Sequence, residues 1–156
     1  MPIQFHPYDP LFVASIRASG RDAYGNPAER AVSDGDTVPC RSCLRDVQAG
    51  REYLILAARP FDALQPYAET GPVFLCADDC TAWAGDGVPP IMTTSPDYLL
   101  KGYCRNQRII YGTGRVVPAG QLTDYAELLF DNPDLAYVDV RSARNNCFQT
   151  RITRRE

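Results

Sequence analysis

Four of the six cysteines in this chain fall in two close pairs whose spacing is typical of metal ligands. Two residues separate Cys40 from Cys43, and three separate Cys76 from Cys80. Two thiolates that lie two to four residues apart on a turn can both reach one ion at about 2.3 Å. A zinc ion bound by four thiolates has no open coordination position for a substrate, so this pattern predicts a structural zinc site.

Three other states of these cysteines are compatible with the sequence. Reduced thiols buried as small apolar side chains are an equal alternative to zinc, and Cys76 lies in an apolar segment that suits them. The Cys40-X2-Cys43 spacing is also that of a redox dithiol, in which Arg41 would favour the thiolate, and it would make the protein a thiol oxidoreductase. A disulfide would need an oxidising compartment, for which the sequence carries no signal.

The helices that help to position these cysteines are predicted from capping residues and apolar spacing. One helix begins after Asp9, which suits the N-cap, and ends before Gly20. Residues 20–38 are polar and rich in glycine and aspartate, which indicates a long loop. A second helix is predicted over residues 121–131, where apolar side chains recur at helical spacing.

Strands account for most of the remaining chain. They are predicted over residues 52–61, 71–77, 98–104, 108–117, 136–143 and 147–154. Hairpins dominate their connections, which favours antiparallel pairing over a βαβ array. The sequence therefore predicts an α+β fold, a mainly antiparallel sheet of about six strands with two helices packed on one face.

Length and composition indicate a single globular domain. We expect one domain over residues 1–156, in which residues 1–37 supply a helix and a long polar loop and residues 38–156 the sheet. A chain of this size buries roughly 70% of its unfolded-state surface on folding, so the fold does not need disulfides or a metal at the cysteines to be stable. No secretory signal and no membrane-spanning apolar run are present in the sequence, which favours the cytoplasm. A net charge of −3 argues against nucleic acid as a partner.

Arginines suggest a second candidate site. All but one of the 16 basic residues are arginine, which is suited to bidentate recognition of carboxylate and phosphate. Arg59 closes one predicted strand and Arg141 lies on another, while Tyr67 and Glu69 occupy the proline-bearing connection between strands. We expect these side chains to line a pocket for a small anionic ligand, in a binding protein or an enzyme. The competing interpretation is a set of surface ion pairs that contribute little to stability.

Four segments of the sequence resemble those of an uncharacterised bacterial family, catalogued as domain of unknown function 1203. They are PCRSCL at 39–44, RPFDALQPYAETGPVF at 59–74, LLKGY at 99–103 and VRSARNNCF at 140–148. The resemblance extends from about residue 38 to the C-terminus and implies a one-domain bacterial protein. It implies no activity, so the ligand, the oligomeric state and the question of catalysis stay open at the level of the sequence.

Overall fold

The computed structural model describes residues 2–156, which form eight strands and two α-helices. The strands are β1 Ile3–His6, β2 Glu29–Val32, β3 Glu52–Ala58, β4 Gly71–Cys76, β5 Asp97–Tyr103, β6 Arg115–Pro118, β7 Tyr137–Ser142 and β8 Phe148–Arg154. The helices are α1 Pro10–Ser19 and α2 Leu122–Leu129, and short 3-10 helices lie at Pro90–Thr93 and Ala119–Gln121. All strand pairs within the sheets are antiparallel, so the predicted α+β class with mainly antiparallel sheets is confirmed.

The strands form two sheets, which corrects the prediction of a single sheet with about six strands. The larger sheet has the order β1-β8-β7-β5-β6, and the smaller sheet has the order β2-β3-β4. Two edge strands, β1 and β2, were not predicted. β2 lies in the segment predicted as a loop, and its side chains are exposed or half-buried, so it has no buried face to produce an apolar alternation. The strand predicted over residues 108–117 is also too long, because only its end belongs to β6.

The two helices form near their predicted positions for the predicted reasons. The Asp9 side chain accepts a hydrogen bond from the Leu11 amide at 3.0 Å, and Gly20 ends α1 with a φ of 70°. The helices do not share one face of a single sheet, however. α1 packs on the core of the smaller sheet through Val13 and Ile16, whereas α2 packs on the core of the larger sheet. Within residues 2–156 neither helix has the length and apolar character needed to cross a membrane.

One side of the larger sheet carries polar side chains in register across four neighbouring strands. The strand register pairs Arg151 on β8 with His6 on β1 and with Asp139 on β7. Asp139 is paired in turn with Lys101 on β5. Because side chains two residues apart on a strand share a side, Tyr103, Tyr137 and Arg141 lie on this polar face as well. The connection between β3 and β4 covers the face, since Arg151 Nη2 donates a hydrogen bond to the carbonyl oxygen of Pro60 at 2.7 Å.

Candidate metal centre

The first cysteine pair lies on a tight turn before β3. The Leu44 amide donates a hydrogen bond to the Cys40 carbonyl oxygen at 3.0 Å, and the Cys40 amide donates one to the Arg45 carbonyl oxygen at 3.0 Å. Leu44 has a φ of 55°, a left-handed conformation that is unfavourable for a side-chain-bearing residue. Its side chain is fully buried in the core of the larger sheet, so packing holds the turn in the shape that brings Cys40 and Cys43 together.

The turn is joined to β4, which supplies the second cysteine pair. Cys40 forms a parallel bridge with Phe74, and the Arg41 amide donates a hydrogen bond to the Phe74 carbonyl oxygen at 3.0 Å. Cys76 is the last residue of β4, and Cys80 follows in the next loop. The backbone pairing at Phe74 therefore places the end of β4 beside the turn that carries the first pair.

The four sulfur atoms converge in one cluster. They lie within 4.8 Å of one another, with 3.8 Å between Cys40 Sγ and Cys80 Sγ and 3.9 Å between Cys43 Sγ and Cys76 Sγ. Four sulfurs bound tetrahedrally to one ion at about 2.3 Å are separated from one another by about 3.8 Å. The cluster therefore has the dimensions of a four-thiolate metal site, and all its cysteines are free of disulfides.

Hydrogen bonds within the cluster favour negative charge on two of the sulfurs. Bonds from Cys43 and Cys76 lower the pKa of Cys40 to about 6, although Cys40 is fully buried. Backbone amides of Ser42 and Cys76 also donate to Cys40 Sγ, at 3.4 and 3.3 Å. Hydrogen bonds from Cys40, Cys43 and Cys76 likewise lower the pKa of Cys80. The pKa values of Cys43 and Cys76 are instead raised, mainly by the hydrogen bond that each forms with Cys40. A bound cation would displace the protons of these last two thiols.

Arg17 of α1 is a neighbour of the cluster that sequence reasoning missed. Its Nη2 donates to Cys80 Sγ at 3.1 Å and to the Cys76 carbonyl oxygen at 3.2 Å, and its Nε lies 3.9 Å from an Asp79 carboxylate oxygen. Four thiolates around a divalent ion leave net negative charge, which the guanidinium offsets. Arg17 lies one turn after the buried Val13, so it shares the side of α1 that faces the smaller sheet. That spacing was the only available sequence signal.

We expect Arg17→Ala to weaken zinc binding by roughly 10–100-fold, because groups that hydrogen-bond to metal ligands typically contribute that much to affinity. A competition titration with a chromophoric chelator would measure the change. Arg21→Ala is the matched control, since Arg21 is exposed and donates to the Gly25 carbonyl oxygen instead. Equal zinc affinities in the two variants would show that Arg17 does not support the site.

The four residues predicted to bind an anionic ligand divide among three places. Arg141 Nη1 lies 3.1 Å from Glu69 Oε2, and both residues line a cavity of about 270 Å³. Arg59 lines a separate cavity of about 500 Å³. The Tyr67 hydroxyl forms a hydrogen bond with the Tyr111 hydroxyl at 2.9 Å, and neither cavity includes Tyr67 among its lining residues.

The single histidine and the two other cysteines lie outside the cluster. The only histidine, His6, has its Nε2 2.7 Å from Thr153 Oγ1 on the neighbouring strand β8. Cys104 and Cys147 are half-buried and do not join the four clustered sulfurs. Within residues 2–156, the four clustered cysteines are the one group of three or more histidine, cysteine, aspartate or glutamate side chains close enough to share an ion.

Fold and cluster together define a small α+β protein with a four-cysteine site where a turn meets the end of a sheet. A family model described as "Protein of unknown function (DUF1203)" matches residues 37–154, and the chain belongs to that family. Comparisons with curated proteins and with solved structures give no match. The matched region contains all four clustered cysteines, whereas α1 with Arg17 precedes it.

Proposed function

We propose that this chain is a zinc-binding protein of the bacterial cytoplasm, in which Cys40, Cys43, Cys76 and Cys80 hold one structural zinc ion. The observation that carries the proposal is the convergence of the four sulfurs within 4.8 Å from two pairs that are distant in sequence. Thiolate sulfur is a preferred zinc ligand, and a tetrahedral arrangement is its usual geometry in structural sites. The cytoplasm suits such a site because thiols stay reduced there.

The position of the cluster supports a structural role. The ion would join the turn before β3, the end of β4 and the loop after it, and Arg17 would connect them to α1. Backbone hydrogen bonds join the turn to β4 at Phe74 and, through the Ser42 carbonyl oxygen, to the Trp83 amide beyond the loop. A four-thiolate zinc has no open position for a substrate, so we propose that it stabilises this arrangement and performs no catalysis.

Elemental analysis of the purified protein tests the proposal. Protein prepared without chelators should contain one zinc per chain, and Cys76→Ser should contain none because it lacks one ligand. Cys104→Ser is the matched control and should keep the full zinc content, since Cys104 lies outside the cluster. Iron in place of zinc, or no stoichiometric metal together with four freely reactive thiols, would contradict the proposal.

The alternative, a thiol oxidoreductase that uses Cys40 and Cys43, is less well supported. Disulfide exchange needs an accessible thiolate, whereas Cys40 is fully buried and the bond to Cys40 raises the pKa of the half-buried Cys43. The sulfur contacts of this pair also run to the other pair, from Cys40 to Cys80 and from Cys43 to Cys76. Reduction of a disulfide substrate by the wild-type protein, with loss of that activity in Cys43→Ser, would favour the alternative over zinc.

A further inference from the structure

Unpartnered buried polar atoms accumulate on the polar face of the larger sheet. Within residues 2–156, they include the hydroxyl groups of Tyr103 and Tyr137 and two nitrogen atoms of Arg141. Tyr103 and Tyr137 are paired across β5 and β7, and Arg141 lies further along β7. Folded proteins pair the great majority of their buried polar atoms with protein groups or ordered water, so several unpaired ones at one place call for a water molecule or a polar ligand as their partner.

The arginine on this face presents an unused bidentate edge. The side chain of Arg141 is only 5% exposed, and its Nη1 is occupied by Glu69 Oε2 and by the Asn146 carbonyl oxygen, both at 3.1 Å. Its Nε and Nη2 form no well-aligned hydrogen bond within residues 2–156, although the guanidinium lies close enough to the Tyr103 hydroxyl to oppose the rise in the pKa of Tyr103 that burial causes. These two nitrogens carry the parallel N–H groups that bind both oxygens of a carboxylate. A buried guanidinium with this edge free is therefore complementary to a carboxylate.

The charges around Arg141 do not balance within the chain. Asp139 is satisfied by Arg151, whose Nε and Nη2 lie 2.7 and 3.1 Å from the two carboxylate oxygens. Glu69 is then shared by Arg141 at 3.1 Å and Lys101 at 3.8 Å, and its side chain is 43% exposed. Burial and the neighbouring Arg141 lower the pKa of Lys101, as expected where positive charge is in excess.

A cavity of suitable size adjoins this arginine. Its volume is about 270 Å³, and its lining includes Glu69, Thr70, Arg141, Asn146 and Phe148. Sites for drug-sized ligands occupy about 300–1,000 Å³, so this cavity fits a smaller molecule. The lining supplies amide and hydroxyl groups as well as an aromatic ring, which together can contact the remainder of a small organic acid.

We propose that this cavity binds a small carboxylic acid through Arg141, with the Glu69 carboxylate as the internal group that the ligand competes against. In the free protein, Glu69 provides the only carboxylate contact of Arg141 within residues 2–156. The free edge is itself buried, so a ligand carboxylate reaches the guanidinium by displacing the half-exposed Glu69 side chain, and it then compensates the excess positive charge. The site is separate from the cysteine cluster and does not depend on its metal.

Calorimetric titration of the zinc-loaded protein with pyruvate tests the proposal, with inorganic phosphate as a second probe and sodium chloride at matched ionic strength as the blank. We expect saturable pyruvate binding that weakens at least tenfold in Arg141→Gln. Arg144→Gln is the matched control, because Arg144 lies in the same hairpin, is 70% exposed and pairs with Asp97. Its affinity should equal that of the wild type.

A second variant keeps the test decisive if Arg141→Gln does not fold. Glu69→Gln removes the competing carboxylate from a half-exposed position, so it should bind pyruvate at least threefold more tightly than the wild type. Binding of phosphate without pyruvate would overturn the assignment to carboxylic acids. Absence of saturable binding by either probe, or unchanged pyruvate affinity in Glu69→Gln, would overturn the site itself.

Discussion

Cys40→Ser should lose its zinc and unfold at a much lower temperature than the wild-type protein. Cys40 is the most buried of the four cysteines, and two backbone amides donate to its sulfur. A serine hydroxyl is a poor zinc ligand and would leave the other three thiolates without a complete site. Zinc at 1,000 times its dissociation constant contributes about 4 kcal/mol to the free energy of unfolding, and the variant forfeits this amount. Thermal unfolding at defined free zinc concentrations measures the loss.

Two comparisons separate loss of metal from loss of packing in Cys40→Ser. Chelation of the wild-type protein should bring its unfolding midpoint close to that of the variant, because both then lack zinc. Cys104→Ser should stay close to the wild type and should still respond to added zinc. A Cys40→Ser protein that keeps the wild-type midpoint and gains stability from zinc would contradict a role for Cys40 as a ligand.

The local parts of the fold were predictable from the sequence because their signals are local. Asp9 and Gly20 mark the ends of α1, and both adopt the expected capping conformations. The hairpin of β3 and β4 follows from two apolar segments, which pair Leu54 with Leu75 and Leu56 with Val73. The division into two sheets was not predictable in this way, because β1 pairs with β8 from the opposite end of the chain.

The candidate sites show the same division between local and long-range information. Cysteine spacing identified the two pairs, but the contact that joins them is a backbone bridge between Cys40 and Phe74. The redox alternative assigned Arg41 to a thiol, yet its guanidinium donates to the carbonyl oxygens of Pro39 at 2.6 Å and Phe148 at 2.7 Å. Arg17 acts on Cys80 instead, because the packing of α1 on the smaller sheet carries it there. Residue type alone could not distinguish these two arginines.

The second large effect is expected from Asp139→Asn. Asp139 is fully buried, and its carboxylate binds Arg151 through two hydrogen bonds of 2.7 and 3.1 Å. Arg151 in turn lies 3.8 Å from the centre of the Tyr137 ring and donates to the Pro60 carbonyl oxygen, so the pair joins β7 and β8 to the connection that covers them. The substitution leaves the guanidinium without its counter-charge, and we expect it to lower the free energy of unfolding by about 3–5 kcal/mol.

Urea unfolding measures this change, and Asp97→Asn is its matched control. Asp97 pairs with Arg144 at 2.9 Å, but the Arg144 side chain is 70% exposed, so water screens the pair and its loss should cost at most about 1 kcal/mol. Equal effects of the two substitutions would contradict the role assigned to burial.

The double variant Asp139→Leu with Arg151→Met supplies the complementary evidence, because it removes both charges together. If the uncompensated cation causes the loss, the double variant should be more stable than Asp139→Asn. If packing between β7, β8 and the covering connection causes it, the double variant should be the less stable of the two.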